Sequence, residues 1–569
     1  MIKQKLVSLK TQYLLIFLLI VLFSLIFFRG NFHHGMEFDE VFRINNIIPY
    51  LNSNAEPYEQ SICSITVLGF KIPLMYKQYI SSLFVWEYIP IGLFKDYTFG
   101  LRFLYIVFYI IFILGFFIIV SKYNMKFAYL LTLMVMTSPL LYPDITIGFN
   151  GLEHVFFITL ALHIFYKYLK NDEKLRYLFW ASFLLAFITN FTFYNSWIMA
   201  ALFFTSLIFY PDYWKGIILS YKKIITIGLG VFIGLFNYIV YNIKYGFPTI
   251  KPLFLKLFFP QEYNKNPIDY HVSKPLWGDL LYKIGKVQSF FGEYYYLYIL
   301  MFVIVILLYL LLLVKMFRIK RFQEFKGYYF PLVALIFTFV FILISPNAIR
   351  REHYIRLIPL IEISFLLLLS LVKKFFSAKR VIKVLVIILP LSFITLNFYT
   401  SNQAVSAYNK THGRGFYSPA IFELNGYLKK HRIDSKKIIH LQWGMYAQLY
   451  FFNKGEYVIN SLVFQLMGTS EEQDKFNILH NYFTSSNIKS CDKLYFPLYV
   501  TQFNNISDLF FKFIKKYDGK LAIEQTFYEK DGREVFYLYR LDNVSAFVNR
   551  IHETTNTPVS DKNRISKYD

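Results

Sequence analysis

The chain has 569 residues, 56% of them hydrophobic and 21% aromatic, with 65 Phe and 48 Tyr, which is more apolar surface than a soluble domain can keep wet. Its 60 basic and 36 acidic residues give a net charge of +24, yet the lysines and arginines lie in short segments between apolar runs rather than along one face, which argues against nucleic acid as a partner. Only Cys63 and Cys491 are present, so cysteine metal sites and redox motifs are excluded; both are read as unpaired, with pairing open if both lie outside the cytoplasm.

A hydrocarbon core of about 30 Å takes roughly 20 helical residues, and apolar runs of that kind recur over most of the first 400 positions. The first, Thr11 to Phe28, follows Lys3, Lys5 and Lys10. Its length and the lack of a small-residue cleavage site mark an uncleaved anchor rather than a signal peptide. Directly after it, "NFHHGMEFDEVFRINNI", residues 31–47, crowds Glu37, Asp39 and Glu40 together. Further runs lie near 103–120, 127–143, 150–166, 177–193, 194–210, 224–243, 294–314, 328–345, 354–372 and 384–400. Together they predict an α-helical polytopic membrane protein of about eleven transmembrane helices.

The uncharged stretch 177–210 would reach roughly 50 Å as one helix, too long for a single span. Basic segments flank it on both sides, so both flanks belong in the cytoplasm and an even number of passes separates them. Two short spans joined by an external turn at "TNFTFYN", residues 189–195, satisfy this. The same rule puts Lys122, Lys126, "KMFRIKRFQEFK" and "KKFFSAKR" inside. Outside are then the loop 29–100, the loop "YPDITIGFNGLEH", the segment 244–293, the loop "SPNAIRREHY" and everything beyond about 401. The lysines of 244–293 run against this rule and are read as snorkelling from interfacial helices.

Residues 1–400 are thus expected to form the transmembrane domain, 401–555 a soluble extracytoplasmic α/β domain, and 556–569 a disordered tail. In the second domain, strands are expected at "KKIIHLQW", "KLYFPLYV", "AIEQTFY" and "EVFYLYRL", and helices near "FELNGYLKKH" and "SDLFFKFIKKY". It holds no Gly-rich phosphate loop and no metal-spaced His/Cys set, so chemistry is not placed there.

Three polar clusters stand outside the membrane. Asp39 and Glu40 lie near an apolar interface, where desolvation raises a carboxyl pKa toward that of a general base. Negative charge there also suits the N-terminus of a helix over "EVFRINNIIPYL". Asp144, Asn150, Glu153 and His154 stand at the outer end of the fourth span, where an ionisable group is costly and marks function or an interface facing water. Arg350, Arg351, His353, Tyr354 and Arg356 crowd an external boundary that should be poor in basic residues. An anion would compensate them, since Arg forks bind phosphate oxygens bidentately; lipid headgroups would serve too. Glu362, deeper in the next span, is left unassigned.

The acidic "FDE" after the first span, the passage "MYKQYISSLFVWEYIPIGLFKDYTFGLRF" before the second, and the late "REHYIRLIP" resemble the GT-C membrane glycosyltransferases of the protein O-mannosyltransferase and aminoarabinose transferase type. The resemblance covers roughly residues 10–400. It implies a sugar donor on a polyprenyl monophosphate and inverting transfer to an acceptor hydroxyl on the extracytoplasmic side. On it, Asp39 matches the first-loop acid and Glu40 its support. Arg350, Arg351, His353 and Tyr354 would grip the leaving phosphate, with Lys77 and Tyr79 in the same pocket. The resemblance leads to an Asp at Asn150, so a second acid must be Asp144 or Glu153 or be missing. No cofactor is required on this reading, and a divalent metal bridged between the loops is left in doubt.

A transporter or lipid flippase would also need many spans, but no internal repeat or Gly/Pro-broken midplane helix stands out. A GT-C ligase or polymerase with a diphosphate-linked donor stays open, because the basic cluster suits either phosphate. The Phe, Tyr, Lys, Ile and Asn richness points to an AT-rich, bacterial genome and an inner-membrane location.

Overall fold

The computed structural model describes residues 2–28, 35–36, 41–42, 44–56, 58, 63–67, 70–77, 80–123, 125–141, 151–170, 174–190, 195–249, 251, 294–344, 354–376, 380–411, 418–442, 444–469, 471–485, 488, 491–500 and 504–556. The chain divides into two compact units. One holds residues 1–32, 59–265 and 269–408; the other holds 33–58, 266–268 and 409–569.

The first unit is helical: α1 (Ile2–Phe28), α2 (Tyr97–Ser121), α3 (Met125–Thr137), α4 (Gly151–Lys170), α5 (Leu175–Ile188), α6 (Ser196–Phe209), α7 (Pro211–Ile218), α8 (Tyr221–Gly234), α9 (Phe236–Tyr245), α10 (Tyr295–Arg318), α11 (Phe330–Ile344), α12 (Ile358–Phe376) and α13 (Arg380–Thr411). Each expected apolar run overlaps a helix of this series, the run 224–243 being divided between α8 and α9. By length and composition, two helices among the described residues, α2 and α10, are long and apolar enough to cross a membrane alone. Four crossings result if each sharply bent pair counts as one span. One such pair is α7 and α8, bent by 94°. The stretch 177–210 is broken as expected: α5 and α6 have 14 residues each, a rise of only about 21 Å.

With no hydrophobic force between helices in lipid, close approach depends on small side chains. Gly230 and Gly234 on α8 face Ser182 and Ala186 on α5, small residues spaced four apart on both helices. A Cβ at Gly230 would meet the Ser182 hydroxyl and lie 2.8 Å from the Phe179 carbonyl; one at Gly234 would lie 2.7 Å from the Phe183 carbonyl. Asn190, just after α5, donates to the Gly234 carbonyl at 2.8 Å and ties the turn to α8. Between α1 and α2 a small antiparallel sheet forms from β1 (Cys63–Val67), β2 (Phe70–Lys77) and β3 (Ile80–Ser81). Cys63, Leu74 and Met75 of the sheet share a core with Tyr238 and Tyr241 of α9, and Asn237 donates to the Ser81 hydroxyl at 2.7 Å.

The second unit contains α14 (Ala420–Lys430), β4 (Ile439–His440), α15 (Met445–Phe452), β5 (Asn460–Ser461), α16 (Val463–Gly468), α17 (Glu472–Thr484), β6 (Lys493–Tyr499), α18 (Asn504–Lys516), β7 (Leu521–Tyr528), β8 (Glu534–Asp542) and α19 (Val544–Asn556). β4 and β5 pair in parallel; β6, β8 and β7 form an antiparallel sheet with β8 central. Alternation in "EVFYLYRL" puts Phe536 and Leu538 on one face of β8 and Leu541 on the other, all three buried. α18 and α19 cover the Leu541 face, packing Phe510, Phe513 and Phe547 against Phe483 and Phe496. Cys63 and Cys491 are both free thiols.

Residues 33–58 differ from the expected 1–400 boundary, because they cluster with the second unit. Their buried side chains explain it: Met36, Val41, Phe42, Ile44, Asn45, Ile47 and Ile48 are all at most 3% exposed. Helical turns at Asn45–Ile47 and Ile48–Leu51 follow the acid-bearing stretch. Gly455 admits this segment, since a Cβ there would meet Ala55 and lie 2.9 Å from Ile48 Cγ2. Its φ of +86° is one that glycine adopts without strain.

Candidate functional site

Of the residues singled out from sequence, Asp39, Glu40, Tyr79, Asp144, Arg350, Arg351 and His353 lie outside the described residues, as do Glu37 and Asn150. Lys77 ends strand β2, paired in register with Ile80. Glu153 and Tyr354 are described and buried, at 4% and 2% exposure.

Glu153 sits in the first turn of α4, where negative charge meets the positive end of the helix dipole. His154 follows it, 7% exposed. Asn195, at the start of α6, donates through Nδ2 to His154 Nδ1 at 2.7 Å and to the Ile188 carbonyl at 2.7 Å. A neutral His154 accepting there carries its proton on Nε2.

Tyr354 and Arg356 belong to the turn that leads into α12, with Ile355–Leu357 as a short 3₁₀ segment. This segment packs against α4, α11 and α12. Tyr354 lies beside Phe339 in a tilted pair with ring centroids 6.3 Å apart, and Arg356 is 1% exposed. Ile158, Ile188, Ile198, Leu202, Ala334 and Leu360 form one apolar cluster shared by α4, α5, α6, α11 and α12. His154 lies four residues before Ile158, Asn195 three before Ile198, and Arg356 four before Leu360. One helical turn therefore separates this polar layer from the same apolar layer on three helices. The structure thus brings Glu153, His154, Tyr354 and Arg356, the described members of the second and third polar clusters, to one end of the helical unit.

No protein-family model and no curated protein matches the chain. Solved structures do. The crystal structure of ArnT from Cupriavidus metallidurans bound to undecaprenyl phosphate superposes with a TM-score of 0.56 at 10% identity, over 93% of this chain and 98% of that one. ArnT from the same organism in the apo state superposes with a TM-score of 0.53, again at 10% identity, over 95% and 99% of the two chains. The chain has the ArnT fold. That agrees with the resemblance read from its sequence and spans both units rather than the first 400 residues alone.

Within this ArnT-fold chain, two buried arginines were passed over by the assignment from sequence. Arg356 was noted in its cluster but left out of the phosphate-binding set. Arg102 lies in α2 at 1% exposure. Its signal was visible: a charge six positions into an apolar helix is costly unless it is accommodated inside the protein. The helix begins at Asp96, whose side chain accepts from the Thr98 amide at 2.8 Å.

Proposed function

We propose that the chain is an integral membrane glycosyltransferase that moves a sugar from a polyprenyl-monophosphate donor to an acceptor hydroxyl on the extracytoplasmic face, with inversion. About eleven helices of the first unit cross a bacterial inner membrane, and residues 401–555 form a domain on its extracytoplasmic side. The observation that carries this reading is the ArnT fold over 93% of the chain, one of those ArnT structures being bound to undecaprenyl phosphate.

The acceptor oxygen attacks the anomeric carbon while the bond from that carbon to the phosphate oxygen breaks. The electron pair leaves with the lipid phosphate. Asp39 takes the acceptor proton, and Glu40 supports it. Arg350, Arg351, His353 and Tyr354, with Lys77 and Tyr79, meet the charge that grows on the leaving phosphate. Glu153 is favoured over Asp144 as the second acid because it is a buried carboxyl in a helical first turn at the polar end of the unit. The acceptor, whether lipid, glycan or protein, is reached from the extracytoplasmic side.

Purified protein in detergent, offered a panel of labelled polyprenyl-phosphate sugars, tests the assignment. Wild type should consume a donor and Asp39→Asn should transfer at a small fraction of its rate. A wild type that consumes no monophosphate donor but turns over a diphosphate-linked one would overturn the donor class, and an undiminished Asp39→Asn would overturn the base.

A further inference from the structure

Residues 409–569 of the second unit carry no Gly-rich phosphate loop and no metal-spaced His/Cys set, yet helix α15 there holds the chain on either side of the acids. Gln448 Nε2 donates to the Met36 carbonyl at 2.7 Å. One residue earlier on the same helix, the Ala447 carbonyl accepts from Asn45 Nδ2 at 2.8 Å. Both bonds are buried, since Gln448, Ala447, Met36 and Asn45 are each 0% exposed. Adjacent residues of one rigid helix therefore hold the chain at 36 and at 45, on either side of Glu37, Asp39 and Glu40. Around them, Tyr450 Oη donates to the Glu56 carbonyl at 2.5 Å, and Tyr58 packs on the Tyr450 ring at 4.7 Å. Asn52 Nδ2 reaches the Lys454 carbonyl at 2.8 Å.

The bracket is tight in covalent terms. Met36 and Val41 are both fully buried, and only the four residues Glu37 to Glu40 lie between them in the chain. A helix that spends a buried glutamine and a buried backbone carbonyl on this segment fixes where it begins and ends. The same contacts made by apolar side chains would stabilise the unit equally well but would not fix the chain's register.

We infer that Gln448 is a positioning residue: through the Met36 carbonyl, with Asn45 on Ala447 as the second anchor, α15 sets the reach of Asp39. This rests on the glycosyl-transfer reading above. Misplacing a catalytic group by an ångström costs up to roughly 100-fold in rate while leaving binding of the remote donor intact.

The test compares full-length Gln448→Met, which keeps the volume and removes the donor, with Asn453→Ala on the same helix. Asn453 bonds Asn425 at 2.9 Å, within the C-terminal part of the unit. Gln448→Met should lose about 10- to 100-fold in kcat with donor KM changed less than about two-fold, and the acid limb of its kcat-pH profile should flatten. Asn453→Ala should keep kcat even where it lowers the melting temperature as much. Amide hydrogen exchange should quicken at 36–45 in Gln448→Met alone; if that variant does not accumulate folded, Asn45→Ala is read the same way. Unchanged exchange at 36–45 overturns the inference whatever the activity, as does a kcat loss shared by Asn453→Ala. A wild type without donor turnover but with the exchange difference overturns the catalytic reading and leaves the bracket standing.

Discussion

Asn45 Nδ2 reaches the Ala447 carbonyl at 2.8 Å across 402 positions of sequence, so the loop after the first helix is part of the fold of the C-terminal unit. Because Asn45 is fully buried, its replacement is felt in stability. Asn45→Ala should cost about 0.5–1.5 kcal/mol for the lost bond. Asn45→Asp should cost more, since it points an acceptor at an acceptor and buries a carboxylate. Its deficit should shrink as pH falls and the acid protonates. Thermal unfolding of both variants across pH 5–8 checks the order, and equal stability of the two would contradict it.

The α5–α8 contact should tolerate no side chain at its glycines. Gly230→Ala and Gly234→Ala drive a Cβ into backbone atoms of α5, an overpacking cost of about 1–3 kcal/mol each. Gly228→Ala, on the same helix with nothing within 4 Å, should be neutral or slightly stabilising. Melting temperatures in detergent distinguish them; a Gly234→Ala as stable as Gly228→Ala would mean that the helices do not approach this closely.

His440 should make the second unit acid-sensitive. Burial lowers its pKa from the usual 6.5 to about 3, and its Nε2 lies 2.9 Å from the Tyr457 hydroxyl, in a site that keeps the ring neutral. The unfolded chain binds the proton near pH 6.5 and the folded chain does not, so this contribution is fully present above 6.5. It falls as pH drops from 6.5 toward 3, by at most about 1.4 kcal/mol per pH unit. His440→Gln should flatten that part of the stability-pH curve relative to wild type. Parallel curves would show that His440 titrates normally.

Asp39→Asn should lower transfer by roughly 10²- to 10⁴-fold, the range for losing a general base. Glu153→Gln should also lower it, with a smaller effect on donor binding than on turnover, while Asp144→Asn should not. Initial rates at saturating donor give the comparison. Full activity of Glu153→Gln would leave its burial a matter of helix packing.

The sequence alone determined where the helices lie, because an apolar run of sufficient length has no other way to satisfy its backbone in a membrane. It also placed the break within 177–210, found between Ile188 and Ser196, from the length of the run and the sign of the flanking charge. Strands such as Glu534–Asp542 were legible from their alternation. Long-range pairing has no such local periodicity. Nothing in "MEFDEVFRINN" or "GMYAQLYFF" shows that Asn45 and Ala447, or Met36 and Gln448, belong together, since a hydrogen bond across 402 or 412 positions leaves no mark on either stretch. Nor could the sequence show that His154, Asn195 and Arg356 share one layer, because that depends on how three helices are rotated against one another. Side-chain packing sets that rotation, and only the tertiary structure decides it.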